Sequence, residues 1–103
     1  MTEITTHVLD TAAGRPAAGI PVSLHEQDED GGWHELGAAV TDADGRVPAL
    51  ADVGPGLYRL VLATATPFFD EVVVTFRAGA EDGEHLHIPL LLSPYGYSVY
   101  RGS

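Results

Sequence analysis

The sequence predicts an all-β fold, a sandwich or a barrel of short strands joined by turns. Apolar and polar residues alternate with a period of two in several segments, whereas the periodicity of a helix is nearly absent. Glycine and proline mark the intervals between these segments. Since 103 residues are the size of one ordinary domain, we expect residues 1–103 to form a single domain around one core.

The predicted strands follow the alternating segments in chain order. Four half-buried strands are predicted at residues 4–9, 22–25, 57–62 and 72–77. Turns are predicted at residues 14–16, 30–32, 42–45, 54–56, 82–83 and 93–96. The last of these turns joins a strand at residues 84–92 to a final strand at residues 97–101, which gives a C-terminal hairpin.

The composition excludes several classes of partner and site. Cysteine is absent, which removes thiolate nucleophiles, thiolate metal sites and disulfides. Fifteen acidic residues against five arginines and no lysine give a formal net charge of -10, so nucleic acid and anionic membranes would be repelled. No apolar run reaches the roughly 18 residues of a membrane helix, and Asp10 and Arg15 interrupt any signal-peptide pattern. We expect a cytoplasmic protein that binds neither nucleic acid nor membranes.

Three of the five histidines are candidates for a site. His85 and His87 are two residues apart on a predicted strand, so their side chains share a face, ~6.6 Å apart. His7 on another strand could supply a third imidazole, and three imidazoles with one open position suit a zinc ion. That spacing is generic, and no acidic residue at a telling interval supports a metal. His25 and His34 stand among acidic and glycine residues, and we expect them to be solvated surface side chains.

The same histidines can serve a hydrolase without a metal ion. A neutral imidazole takes a proton from water near neutral pH, and a nearby guanidinium favours that neutral form and stabilises developing negative charge. His7, His87 and Arg46 would suffice for such a reaction. Ser98 and Ser103 lack the Gly-x-Ser-x-Gly context of an activated nucleophile, and serines in turns and tails are usually capping or solvated groups.

The C-terminal tail has an unusual composition for the end of a domain. Tyr95, Tyr97 and Tyr100 are three of the four tyrosines in the chain, and Arg101 follows the last of them. We therefore expect the tail to be ordered. Aromatic residues and arginine are also enriched at the centres of interfaces, so the tail is predicted to build either a site or a subunit contact without chemistry.

Several stretches spread over nearly the whole chain carry a family pattern. They are Thr6-His7-Val8-Leu9-Asp10-Thr11 with Gly14-Arg15-Pro16-Ala17, Thr41-Asp42 with Asp44-Gly45-Arg46, Gly56-Leu57-Tyr58-Arg59, His87-Ile88-Pro89-Leu90-Leu91-Leu92-Ser93-Pro94-Tyr95-Gly96-Tyr97 and the closing Tyr100-Arg101-Gly102-Ser103. In these stretches the chain resembles the 5-hydroxyisourate hydrolases, also called transthyretin-related proteins. The histidines and the closing tetrapeptide separate these enzymes from the hormone carrier transthyretin, which is similar in fold.

The resemblance implies a transthyretin-like β-sandwich of two four-stranded sheets. The strand of His7 would lie between those of Arg46 and His87, and since neighbouring strands are ~4.8 Å apart, the three side chains would meet on one face. The resemblance also implies a homotetramer that pairs such faces around a central channel, with tails from a facing subunit closing each site. Only residues 66–70 stand where the family has a short helix, so we expect that helix to be missing or reduced to a turn.

The resemblance also implies an activity and assigns site residues. The reaction would be the hydrolysis of 5-hydroxyisourate to 2-oxo-4-hydroxy-4-carboxy-5-ureidoimidazoline in urate degradation, with no cofactor and no metal. Either His7 or His87 would activate a water that attacks the C6 carbonyl and breaks the bond to N1, while Arg46 stabilises the oxyanion. The implied catalytic residues are His7, Arg46, His87 and Ser103, and the implied substrate-binding residues are Tyr100, Arg101 and Gly102. Two alternatives stay open: a transthyretin-like carrier that binds a small ligand without turnover, and a three-histidine zinc hydrolase.

Overall fold

Residues 1–102, the part of the chain that the computed structural model describes, form nine β-strands and one 3₁₀ turn. The strands in chain order are β1 (Thr2–Asp10), β2 (Arg15–Pro16), β3 (Pro21–Gln27), β4 (Trp33–Val40), β5 (Arg46–Val53), β6 (Gly56–Leu62), β7 (Val72–Ala78), β8 (His85–Ser93) and β9 (Gly96–Val99). The 3₁₀ turn spans Ala80–Asp82, between β7 and β8. Within residues 1–102 no helix is long and apolar enough to cross a membrane. The all-β prediction is confirmed.

The strands form two sheets, each with one face on a shared core. One sheet is antiparallel throughout and has the order β4-β3-β6-β7. In the other, which we call the β1 sheet, β1 pairs in parallel with β8, and β9 pairs with the outer edge of β8. Strand β5 and the two-residue β2 pair with successive parts of the other edge of β1. The predicted two-sheet sandwich is confirmed, and β2 adds a short fifth strand to the β1 sheet.

Alternate residues of the strands build the core between the sheets. Ile4 and Val8 on β1, Leu24 on β3, Leu60 on β6 and Leu90 on β8 are completely or almost completely buried. Burial of each such side chain contributes about 1.5–3 kcal/mol relative to leaving it in water. Because side chains alternate along a strand, the remaining residues of β1 and β8 lie on the opposite face of the β1 sheet. That outer face carries Glu3, Thr5 and His7 of β1 and His85 and His87 of β8.

The pairing register of β1 positions residues that are distant in sequence. Strand β1 lies between β5 and β8, which is the order that the resemblance implied. His7 is the ladder partner of Arg46 on β5, and Thr5 is the ladder partner of His87 on β8. A bulge in the β1–β5 pair accommodates Pro48, which has no amide hydrogen to give to a ladder.

The connection between β6 and β7 contains a tight turn in place of a helix. The Thr66 hydroxyl accepts a hydrogen bond from the Phe69 amide at 2.7 Å, and the Phe69 carbonyl accepts one from the Thr66 amide at 2.9 Å. The Phe69 ring packs edge-on against Phe68 and Tyr97, with centroids 4.9 and 5.1 Å away. The expected loss of the helix is confirmed, and the contact with Tyr97 ties the turn to β9.

Candidate active site

The outer face of the β1 sheet gathers three polar side chains from remote parts of the chain. His7 lies on β1, Arg46 is the first residue of β5, and His87 lies on β8. The two imidazole ring centroids are 6.5 Å apart, and Arg46 is directly opposite His7 in the ladder. We call these three residues the His–Arg cluster. Their proximity follows from the strand order and register, because no two of them are close in sequence.

The turn before β5 orients the His7 ring. Nε2 of His7 lies 2.9 Å from the Asp44 carbonyl oxygen, and since a carbonyl only accepts, Nε2 carries the hydrogen. The Asp42 carboxylate accepts hydrogen bonds from the amides of Asp44 and Arg46, at 2.9 and 3.0 Å, which holds the turn. Gly45 has φ of 73°, and a Cβ there would collide with the backbone of β1, so the turn requires glycine. The nitrogen of His7 that remains for other partners is Nδ1.

The surroundings of His87 favour its neutral form. Burial lowers the pKa of His87 below its ordinary value of 6.5, and the positive charges of Arg46 and His7 lower it further. The Thr5 hydroxyl lies 2.8 Å from Nδ1 of His87, because these two residues are ladder partners on the same face. With Thr5 on Nδ1, Nε2 of His87 is the nitrogen left for a substrate or a water. A neutral imidazole in this position is equipped to accept a proton.

The C-terminal tail continues along β8 after β9 ends at Val99. The Tyr100 amide donates to the Pro89 carbonyl at 3.4 Å, and the Gly102 amide donates to the His87 carbonyl at 2.8 Å. A Cβ on Gly102 would lie 2.7 Å from Cδ2 of His87, so only glycine permits this approach. The chain's own tail therefore borders His87. The implied contribution of a tail from a facing subunit stays a prediction.

Arg101 points away from the His–Arg cluster. Its guanidinium donates to the Asp82 carboxylate, at 2.5 Å, in the 3₁₀ turn before β8. Tyr100 and Arg101 also line a cavity of about 480 Å³ between β7 and β8, and none of the cluster residues lines it. Ser103 lies outside the described residues. Of the predicted site residues, the structure brings four together: His7, Arg46, His87 and Gly102.

The other histidines are not part of this cluster. His85 is exposed, and its Nδ1 lies 3.5 Å from a carboxylate oxygen of Glu3. Within residues 1–102 no three histidine, cysteine, aspartate or glutamate residues are arranged to hold a metal ion, so His7, His85 and His87 do not form a three-imidazole site there. His25 and His34 lie on β3 and β4, in the other sheet.

Three further residues contribute to the site without having been predicted. Thr5 contacts His87 through its hydroxyl, Asp44 contacts His7 through its carbonyl, and Asp82 contacts Arg101. The alternation of β1 places Thr5 on the same face as His7, which is a usable signal, but its partner on β8 follows only from the register. A backbone carbonyl leaves no mark on side-chain patterns, and nothing in the sequence near Asp82 points to Arg101.

A β-sandwich with two histidines and an arginine on the outer face of one sheet defines a transthyretin-fold protein equipped for acid–base chemistry. The model of the HIUase/Transthyretin family matches residues 4–102, and the chain belongs to this family. It is 44% identical over 118 residues to the 5-hydroxyisourate hydrolase of Caulobacter vibrioides, with 100% of both chains covered.

Two solved structures show that the fold occurs in a 5-hydroxyisourate hydrolase and in a transthyretin that binds thyroxine. Klebsiella pneumoniae 5-hydroxyisourate hydrolase has a TM-score of 0.84 and 33% identity, covering 99% of this chain and 100% of that one. Sea bream transthyretin in complex with thyroxine has a TM-score of 0.91 and 30% identity, covering 97% and 94%. Because both score highly, the backbone shape does not separate these two proteins, and the distinction between them must lie in their side chains.

Proposed function

We propose that this chain hydrolyses 5-hydroxyisourate to 2-oxo-4-hydroxy-4-carboxy-5-ureidoimidazoline in urate degradation, with the His–Arg cluster as its active site. The observation that carries this is the convergence of His7, Arg46 and His87 on one sheet face, with the pKa of His87 lowered. Relatives named 5-hydroxyisourate hydrolase, at 43% and 44% identity over nearly the whole chain, support the same substrate. Water is the nucleophile, and the proposed mechanism activates it with side chains alone.

His87 is the general base in this mechanism. Its lowered pKa keeps it neutral at working pH. In the proposed tautomer Nδ1 carries the hydrogen and donates it in a hydrogen bond to the Thr5 hydroxyl, so Nε2 presents its lone pair. Nε2 removes a proton from water as the oxygen attacks the C6 carbonyl of the ring. The carbonyl electrons move onto oxygen, and their return breaks the bond between C6 and N1.

Arg46 stabilises the negative charge that develops on the carbonyl oxygen. It is exposed on the same face, and its charge already acts on His87. A charge placed in advance where an oxyanion forms needs no rearrangement during the reaction, and removing one such donor typically slows an enzyme about 10²–10³-fold. The same guanidinium thus keeps the base neutral and lowers the barrier to attack.

His7 supplies the proton that the leaving nitrogen requires. Its Nε2 hydrogen is committed to the Asp44 carbonyl, which leaves Nδ1 to exchange a proton with N1 of the substrate. With the ring centroids of His7 and His87 6.5 Å apart, one bound ring can contact both imidazoles. His87 then loses the proton that it took from water and His7 regains one, by exchange with solvent, which restores both imidazoles for the next turnover.

The tail forms one wall of the site. Gly102 lies against His87, and we propose that the backbone of residues 100–102 and the Ser103 side chain position the substrate or the attacking water. Removal of residues 101–103 should therefore reduce kcat/KM strongly and change the free energy of unfolding little. A large loss in both quantities would support a tail that serves only as a subunit contact.

We further propose a cytoplasmic homotetramer with each site at a subunit interface. The His–Arg cluster lies on an open sheet face, and a small ring bound there needs a second wall to exclude water. The same face of another copy supplies that wall by symmetry. Light scattering during size exclusion should give four times the mass of one chain, and an active monomer would contradict this assembly.

The test of the activity is the decay of 5-hydroxyisourate absorbance after urate oxidase generates it. The wild-type protein should accelerate this decay, and His87→Ala should abolish most of the acceleration. His85→Ala is a matched control, because it removes an exposed imidazole two residues away on the same strand. No acceleration by the wild-type protein would overturn the proposed hydrolase and favour the carrier.

The carrier is the second candidate, and the high structural similarity to sea bream transthyretin favours it. A carrier would bind a small aromatic ligand with unchanged affinity in His87→Ala, because imidazole chemistry would not be needed. A zinc hydrolase, the remaining alternative, would lose activity in His85→Ala and under strong chelation. The metal-free mechanism predicts unchanged activity in His85→Ala and under chelation.

A further inference from the structure

The last described residues lack the support of a regular strand. Ladder pairing of β9 with β8 ends at Val99, and residues 100–102 make two backbone hydrogen bonds to β8. The bond from Tyr100 is long, at 3.4 Å, and the bond from Gly102 to the His87 carbonyl is 2.8 Å. Chain ends with so few contacts fray. Something else must keep Gly102 against His87 if the tail is to form a wall of the site.

Asp82 is a fixed anchor beside this segment. Its side chain is only 7% exposed, and one carboxylate oxygen accepts the Gly79 amide at 2.6 Å. The other oxygen accepts the Arg101 guanidinium. The carboxylate thus belongs to the folded 3₁₀ turn, which leads directly into β8. Arg101 reaches it from the tail, on the side away from the His–Arg cluster.

We propose that Asp82 is a positioning residue for the reaction, which holds the tail against His87 through its ion pair with Arg101. This inference rests on the proposed function for its catalytic consequence. We call the pair the Asp82–Arg101 latch. The Arg101 side chain is 64% exposed, so solvent screens the pair and its direct effect on global stability is small. Its effect falls on the last residues of the chain, where few other contacts act.

The latch gives Arg101 a role different from contact with the substrate. If Arg101 bound the substrate directly, its replacement would reduce activity whatever stood at residue 82. If Arg101 acts through Asp82, the two residues form one unit, and loss of either has the same consequence. A double-mutant cycle separates these cases, because residues that act as a unit are not additive.

The experiment compares Asp82→Asn, Arg101→Met and the double variant in kcat/KM for 5-hydroxyisourate. Each single variant should lower kcat/KM about 10- to 100-fold, since a displacement of about 1 Å at a site has effects of that size. The double variant should be no worse than the worse single one. Arg101→Lys should recover part of the loss, because an ammonium can still reach the carboxylate. Glu81→Gln, which removes a charge from the same 3₁₀ turn, should match the wild type.

A second measurement follows the tail itself and does not depend on activity. Hydrogen exchange of the Gly102 amide reports its bond to the His87 carbonyl, and it should accelerate at least tenfold in Asp82→Asn and in Arg101→Met. The unfolding midpoint should stay within a few degrees of the wild type in Arg101→Met, which leaves the Gly79–Asp82 bond intact.

The outcomes separate failure of the latch from failure of the proposed function. A wild-type protein that does not turn over 5-hydroxyisourate removes the function, and Gly102 exchange still tests the latch. Multiplicative losses in the double variant, or an unchanged kcat/KM in Asp82→Asn, would overturn the latch while the hydrolase stands. Unchanged Gly102 exchange in both single variants would also overturn it.

Discussion

Replacement of Thr5 with valine tests whether the orientation of His87 matters for turnover. The change keeps the shape of the side chain and removes the hydroxyl that lies 2.8 Å from Nδ1 of His87. A hydrogen bond of this kind has a net value of about 0.5–1.5 kcal/mol, and each 1.36 kcal/mol is about tenfold in rate. If the whole bond serves catalysis, kcat/KM should fall about 2- to 13-fold.

Thr6 provides a matched control for this change. Its hydroxyl also bonds β8, through the Ile88 carbonyl at 2.7 Å, but Thr6 is buried on the core face. Thr6→Val should therefore lower the free energy of unfolding in urea and leave kcat/KM near the wild-type value. Thr5→Ser, which keeps the hydroxyl, should retain most of the activity. A Thr5→Val enzyme with full kcat/KM, or an equal loss in Thr6→Val, would refute the orienting role.

Four further outcomes follow from the same site. The acid limb of kcat/KM should lie below pH 6.5, because burial and the charges of Arg46 and His7 lower the pKa of His87. Arg46→Met should move that limb to higher pH and slow turnover about 10²–10³-fold; an unmoved limb would contradict the electrostatic coupling. His87 takes up a proton at a higher pH in the unfolded chain than in the folded one, because folding lowers its pKa. The free energy of unfolding should therefore fall as the pH drops from 6.5 through the lowered pKa. In urea titrations His87→Ala should flatten this dependence on pH. Gly102→Ala should displace the tail from His87 and lower kcat/KM about tenfold or more with little change in unfolding midpoint; normal activity would show that this approach is dispensable.

Strands with clear alternation were predictable from the sequence, and strands without it were not. β1, β3, β6, β7 and β8 each overlap a predicted segment, because one face of each is buried. The strand predicted at residues 97–101 overlaps β9, which ends at Val99. β4 was missed, since Gly37, Ala38 and Ala39 break its alternation and five of its eight residues are exposed. β5 was placed only through the resemblance, because Pro48 and the bulge beside it disturb the period of two.

The convergence of the candidate site residues was predictable, whereas most of their contacts were not. The resemblance implied that His7, Arg46 and His87 would meet, and the strand order does bring them together. The hydrogen bond between Thr5 and His87 depends on the register between β1 and β8, and these two residues are more than eighty positions apart in the chain. The direction of Arg101 depends on how the tail leaves β9, and an isolated motif says nothing about that geometry.

The comparison with transthyretin shows that a shared backbone leaves the side chains to distinguish a hydrolase from a protein that only binds a ligand. Sea bream transthyretin shares the backbone of this chain at a TM-score of 0.91. A carrier needs a complementary surface, whereas a hydrolase needs groups that move a proton and stabilise an oxyanion. The His–Arg cluster supplies such groups without any change in the sandwich beneath it, because outward residues of a strand are free of the core.

The most direct measurement is a double-mutant cycle on the two imidazoles. The rates of 5-hydroxyisourate decay would be compared for the wild-type protein, His7→Ala, His87→Ala and the variant with both changes. If the two histidines act on one bound ring, each single change should lower kcat/KM about 10²–10⁴-fold, and the double change should add little to the worse of them. Losses that multiply would contradict two imidazoles that act as one unit, and a single variant that keeps wild-type kcat/KM would remove that histidine from the mechanism.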